Sequence, residues 1–267
     1  MSSSTGTPYA DLHVHTTRSD GSLEPAAVPD AARAAGVAVV AITDHDVVPP
    51  FEGRFVDRDG EAVTVIAGIE LRVQPSEGEQ VDLLGYGLRP TDELVATLDR
   101  IQSNRRERGQ AIVDRVEGHL GIDLAVDVEP GFGRPHVARA VADHPDADFD
   151  YEGVFDELIG DDGPCYVARD VPSFERGRAL LDEACDLVGL AHPLRYRDPD
   201  AALELTAGLD AVELSYPYGR DVDLGPVERA IERHGLVAIG GSDAHDESLG
   251  LAGLDRADYD RLAEAYW

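Results

Sequence analysis

What most constrains this chain is a series of short apolar runs, rich in β-branched residues, that keep finishing on a histidine, an aspartate or a glutamate. The runs are VAVVAIT (37–43), TVIAGIEL (64–71), VDLLGYGL (81–88), LVGLAH (187–192), LDAVELSY (209–216) and LVAIGGSD (236–243). Each has the length and composition of a buried strand. Helical stretches alternate with several of them: PAAVPDAARAAG, stopping at Gly36; PSFERGRALLDEACD, ahead of the 187–192 run; and GPVERAIERHG, stopping at Gly235. Strands alternating with helices predict an α/β fold on a mostly parallel sheet, open or closed into a barrel. Active sites in such sheets gather at the carboxyl ends of the strands, where the charged residues of these runs fall.

The middle of the chain breaks the alternation. Residues 91–120 read as one long helix with Thr91 as its N-cap, and a mixed segment follows to about residue 165. The expected organisation is a barrel domain over 8–90 and 166–267, with a small, mainly helical subdomain inserted over 91–165.

The stretch YADLHVHTTRSDG (9–21) sets His13 and His15 two residues apart, on one face of a strand, and places Asp20 in a turn five residues later. TDHD contributes His45, with Asp44 or Asp46 as partners that would orient it. GIE contributes Glu70, AHP contributes His192, and SDAH contributes Asp243 and His245. Carboxylates abound in this chain, but it has only nine histidines, and six of them (13, 15, 45, 136, 192 and 245) fall in these motifs or in GRPH. That clustering points to a metal site. His119 and His234 near helix ends, and His144 in an acidic loop, have plain structural readings.

Charge narrows the partners. The formal net charge is −30, and all 23 basic residues are arginine. Such a surface repels nucleic-acid backbones and anionic membranes at ordinary salt, so no long duplex and no membrane is expected as a partner. It suits a halophile, where salt shortens electrostatic range to about 3 Å or less. No apolar run reaches the ~20 residues of a membrane span, and MSSSTGTP lacks the apolar core of a signal peptide. Cys165 and Cys185 form no CxxC motif and read as ordinary thiols, so a cytoplasmic protein is expected.

Taken in order, DLHVHTTRSDGS, AITDHD, GIEL, RPHVARA, AHPLRY and GGSDAHD resemble the PHP (polymerase and histidinol phosphatase) family over nearly the whole chain. Within it they are most similar to the stand-alone branch of nucleoside 3′,5′-bisphosphate phosphatases and 5′-to-3′ oligonucleotide exonucleases. FDELIGDDGPCYV and NRRERGQAIVDRV look like that branch's inserted subdomain. The resemblance implies a distorted seven-stranded β/α barrel, amidohydrolase-like. It also implies two or three divalent ions, manganese first, with iron or zinc as alternatives. The implied ligands are His13, His15, Asp20, His45, Glu70, His192, Asp243 and His245, with His136 as a further ligand or a substrate contact and Arg134 as a phosphate holder. Two positions depart from the family pattern: Asp82 and Tyr216 stand where many relatives carry histidine.

The chain offers no GxSxG serine and no cysteine with an evident base, so water is the expected nucleophile. Two divalent ions can share a hydroxide and clamp a phosphoryl group for in-line displacement. The implied activity is a metallo-phosphoesterase in which a metal-bound hydroxide attacks a small nucleotide or a short 5′-phosphorylated oligonucleotide. Asp243 and His245 are the expected catalytic residues, with Arg134, His136 and Arg195 on the substrate. Two other readings are a phosphatase for another metabolite, such as histidinol phosphate, and a metal-binding regulatory module without turnover.

Overall fold

A computed structural model describes residues 6–57, 60–128, 132–160 and 162–267; residues 1–5 of the polar N-terminal stretch lie outside it. The chain divides into two compact units, residues 1–96 with 172–267, and residues 97–171.

The first unit carries the strands: β1 (Ala10–Val14), β2 (Val39–Ile42), β3 (Arg54–Asp57), β4 (Val63–Val73), β5 (Val81–Tyr86), β6 (Leu187–Leu190), β7 (Ala211–Ser215) and β8 (Val237–Gly240). They form one sheet in the order β1-β2-β4-β5-β6-β7-β8, with β3 hanging on β4. The edges of this seven-strand path meet: the His15 amide donates to the Ala244 carbonyl at 2.8 Å and the Ala244 amide to that of His13 at 3.3 Å. A distorted β/α barrel results. Buried Asp11 locks the seam, its carboxylate accepting from the Ser242 amide (2.9 Å), the Ser242 hydroxyl (2.6 Å) and the Gly250 amide (2.8 Å). A Cβ on Gly241 would sit 2.3 Å from the His13 amide nitrogen, so only glycine lets the two segments approach this closely.

The helices are α1 (Val28–Ala35), α2 (Asp92–Leu120), α3 (Arg134–Ala142), α4 (Tyr151–Val154), α5 (Phe174–Ala184), α6 (Pro199–Glu204), α7 (Gly225–His234) and α8 (Arg256–Tyr266). Local chemistry sets their limits. Thr91 and Ser173 accept from the first-turn amides of α2 and α5 (3.2 Å each), and Gly36 and Gly235 end α1 and α7 in the left-handed region.

Strand β2 is apolar on both faces because both are covered. Val39 and Ala41 of β2 pack in the interior with Leu12, Ile66 and Leu84, whereas Val40 and Ile42 pack under α1 with Val28 and Ala32. Fully burying one such side chain is worth roughly 1.5–3 kcal/mol. The second unit has its own core, in which Ile112, Val113 and Val116 of α2 meet Val137 and Val141 of α3 and Leu158.

The sheet is mostly parallel, as expected, with one strand of the seven-strand path reversed, and one other expectation is corrected here. The sheet is parallel over β1-β2-β4 and β6-β7-β8, but β5 runs antiparallel to both β4 and β6. Only residues 74–80 join β4 to β5, and a parallel crossover needs a dozen or more. Nor do all the charged residues stand at strand ends. Glu70 lies inside β4, and β8 stops at Gly240, short of Asp243. The ladder ends there because Ser242 turns to Asp11 and Asp243 takes a left-handed φ of 50°.

Candidate metal centre

A break in β1 aims the first two ligands. Ala10 and Leu12 join the interior core, but Val14 packs under α1, and the β1–β2 register shifts between Asp11 and Val14. Strict alternation would put Leu12 and Val14 on one face. The shift instead turns His13 and His15 inward, both fully buried with ring centroids 5.1 Å apart.

Glu70 is the hub. Its Oε2 lies 3.4 Å from His13 Nε2, 3.3 Å from His15 Nε2 and 3.0 Å from His45 Nδ1, and its Oε1 lies 3.0 Å from His192 Nε2. Asp243 Oδ1 is 3.1 Å from His15 Nε2 and 3.5 Å from His13 Nε2. Asp20 faces His245 Nε2 at 3.4 Å and both His15 and His45 at 3.8 Å. Among the described residues, three groups bring metal-ligating atoms within 4.8 Å of one another: His13, His15, Glu70 and Asp243; His15, Asp20, His45 and His245; and His45, Glu70 and Asp82.

The first two groups fit divalent ions. Buried His13 Nε2, both ring nitrogens of His15 and Glu70 Oε2 have no hydrogen-bond partner, although carboxylates and imidazoles crowd round them. Unsatisfied polar atoms this deep are costly unless something binds them. Their separations of 3.1–3.5 Å also match neighbouring ligands about 2.1 Å from a common ion.

Supporting contacts fix the ligands. His13 Nδ1 lies 3.1 Å from buried Glu213, which leaves Nε2 for the centre, and the other Glu213 oxygen accepts from the His192 amide at 2.7 Å. Asp44 accepts from the Thr16 amide, the Thr16 hydroxyl and the Ser19 hydroxyl, 2.7 Å each, and so holds the turn that carries Asp20. Asp46 accepts from the Arg72 amide. Asp243 Oδ2 accepts from the Tyr216 hydroxyl (2.8 Å) and from Arg195 (3.0 Å), which leaves Oδ1 toward the imidazoles. Glu213, Tyr196 and Arg72 were not among the sequence candidates. The signal for Glu213 was a carboxylate inside an apolar strand, LDAVELSY.

Over these groups opens a cavity of about 360 Å³, lined by Asp20, His45, Glu70, Arg72, Glu79, Gln80, Asp82, His192, Arg195, Tyr196, Asp243 and His245. Arg134 and His136 belong to the second unit, where they begin α3; His136 stacks on Phe132 and its Nδ1 accepts from the Gly133 amide. Arg18, beside the HVH motif, donates to the Val48 carbonyl.

The buried imidazoles and carboxylates of the site shift one another's proton affinities. Burial pushes the His13 and His15 imidazoles down, but the surrounding carboxylates outweigh it: Glu213 and Glu70 hold His13 well above its usual value, and Asp243 and Glu70 raise His15 to about 9. Burial alone would raise Asp20, Glu70 and Asp243, yet their imidazole neighbours hold all three below the usual carboxylate range. His45 is lowered, chiefly by burial. The sign of the pH dependence follows. Stability from the raised histidines is complete below about pH 6.5 and is lost as pH climbs through about 9. Stability from the depressed carboxylates is present above about pH 4 and is lost on acidification. In excess chelator, Tm is therefore expected to fall between pH 6.5 and 9.5. Mn²⁺ requires neutral imidazoles, so it should remove most of that fall. A chelated protein whose Tm rises over this range would contradict the assignment; calorimetric melts in both buffers check it.

A profile of the PHP domain family matches residues 11–157. The 3′,5′-nucleoside bisphosphate phosphatase of Chromobacterium violaceum is 29% identical over 248 residues, covering 88% of this chain and 86% of the relative. The 5′-3′ exoribonuclease Rnm of Escherichia coli is 28% identical, covering 88% and 84%. An amidohydrolase structure from Chromobacterium violaceum, with bound sulfate and no metal, superposes with a TM-score of 0.72 at 26% identity over 96% of each chain.

Proposed function

Because the chain belongs to the PHP domain family and is a hydrolase of phosphate esters, we propose that it acts on small nucleotides, a nucleoside 3′,5′-bisphosphate or a short 5′-phosphorylated oligonucleotide. The observation that carries the reading is the convergence of the unsatisfied ligand atoms of His13, His15 and Glu70 with Asp243 and His245 of the segment after β8, beneath an arginine-bearing cavity.

His13, His15, Glu70 and Asp243 would hold one divalent ion, and Asp20, His45 and His245 a second. Manganese is our choice, with iron or zinc as alternatives. Bound there, the ions supply Lewis acidity, lowering the pKa of water to about 7 and neutralising phosphate charge. The chain's own groups do the rest. Arg195 and the Tyr216 hydroxyl grip one oxygen of Asp243 and so orient the carboxylate. Arg195 also keeps guanidinium donors for phosphate oxygens. His245, 3.4 Å from Asp20, lines the cavity wall, so its part in the reaction is that of a ligand of the second ion facing the substrate. The cation-lined cavity offers a phosphate local attraction that the chain's net charge of −30 would otherwise deny it.

The test is a substrate panel in molar salt with Mn²⁺: adenosine 3′,5′-bisphosphate, a 5′-phosphorylated trinucleotide and histidinol phosphate. Phosphate or nucleotide release from either of the first two, but not from the third, is expected. Turnover of histidinol phosphate alone would overturn the substrate class, and tight metal binding without turnover of any of the three would overturn the activity.

A further inference from the structure

We propose that Arg72 is a resident cation of the site: it occupies Asp82 and presents a guanidinium to the substrate's phosphate, so that the centre takes two divalent ions and not three. The inference rests on the metal-dependent phosphoesterase reading above and adds to it an ion count and a phosphate-binding residue.

Of the three ligand groups, the one containing Asp82 differs in kind. Both oxygens of Asp82 are taken by one guanidinium, Oδ1 by Arg72 Nε at 2.7 Å and Oδ2 by Arg72 NH2 at 2.6 Å. Asp243 also meets an arginine, but Arg195 touches only Oδ2 and leaves Oδ1 facing His13 and His15. Glu70 keeps an oxygen with no hydrogen-bond partner. Both Asp82 oxygens already answer a cation, although His192 Nε2 stands 3.9 Å away and Glu70 and His45 complete the group.

The pair is built by the sheet. Arg72 and Asp82 are directly opposed in the antiparallel β4–β5 ladder, and the Arg72 amide is fixed by Asp46. Asp82 is almost fully buried, while the Arg72 side chain is 32% exposed and lines the cavity beside Gln80 and Arg195. A forked pair on a buried carboxylate is hard for an ion to displace, because it must first strip away a charge-assisted double hydrogen bond. With Nε and one hydrogen of NH2 committed to Asp82, the guanidinium still has donors for a phosphate oxygen.

The test counts ions and measures phosphate affinity, and neither readout depends on which ester is hydrolysed. Wild-type protein loaded with Mn²⁺ and desalted should carry two ions per chain by plasma mass spectrometry, and Asp82→Asn should also carry two. Inorganic phosphate, titrated calorimetrically into the Mn²⁺-loaded protein, should bind Arg72→Met about tenfold or more weakly than wild type. Three ions in the wild type falling to two in Asp82→Asn would overturn the proposal, as would unchanged phosphate affinity in a folded Arg72→Met. Inactivity on the nucleotide panel with two ions bound would strike the proposed function and leave this assignment standing.

Discussion

Glutamine at position 70 is expected to lower kcat by at least ~1,000-fold and to cost the protein at least one bound ion. The size of the effect follows from where the carboxylate stands. One Glu70 oxygen lies within 3.4 Å of His13, His15 and His45, and the other is 3.0 Å from His192. The substitution keeps the shape of the side chain but removes the charge that opposes ions in this buried site. It also sets an amide NH₂ where an acceptor stood, so the defect is chemical and the fold should survive. Steady-state kinetics with metal analysis of the purified variant checks it. A Glu70→Gln enzyme within tenfold of wild type, with unchanged metal content, would remove Glu70 from the centre.

Alanine at Asp243 is expected to lower kcat by at least ~100-fold, and alanine at His15 by a similar factor. Asp243 is held at a left-handed φ of 50°, with Tyr216 and Arg195 on one oxygen and the two β1 imidazoles near the other. Such backbone strain in a non-glycine residue persists only where the surroundings impose it. Truncation removes a ligand and also frees Arg195 to swing away from its post. Turnover measured at saturating Mn²⁺ separates the loss of a catalytic group from simple weakening of metal affinity; near-wild-type turnover in either variant would count against the assignment.

Much of this architecture was legible in the chain because strand burial and helix capping are local. The six β-branched runs coincide with β2, β4, β5, β6, β7 and β8, and Thr91, Gly36 and Gly235 mark helix limits as their chemistry dictates. The exposed edge strand RFVD was invisible, since its burial is too slight to leave a pattern. The reversal of β5 was readable in principle from the short 74–80 link, but alternating strands and helices masked it. At the site, HxH spacing correctly paired His13 with His15. It did not show why they face inward, because that depends on a register shift against a distant strand. Glu213 and Arg72 went unnoticed for a related reason. Each acts through a partner that only the sheet brings alongside: His13, 200 positions from Glu213, and Asp82, across a hairpin from Arg72.

The seam between β1 and the segment after β8 has one more consequence. Because that seam joins His13 and His15 to Asp243 and His245, a nascent polypeptide still short of residue 243 holds imidazoles but no finished cage. On the proposed function, neither ligand group can close until the segment after β8 packs against β1, so metal affinity is expected to be a property of the closed barrel and not of its first strands.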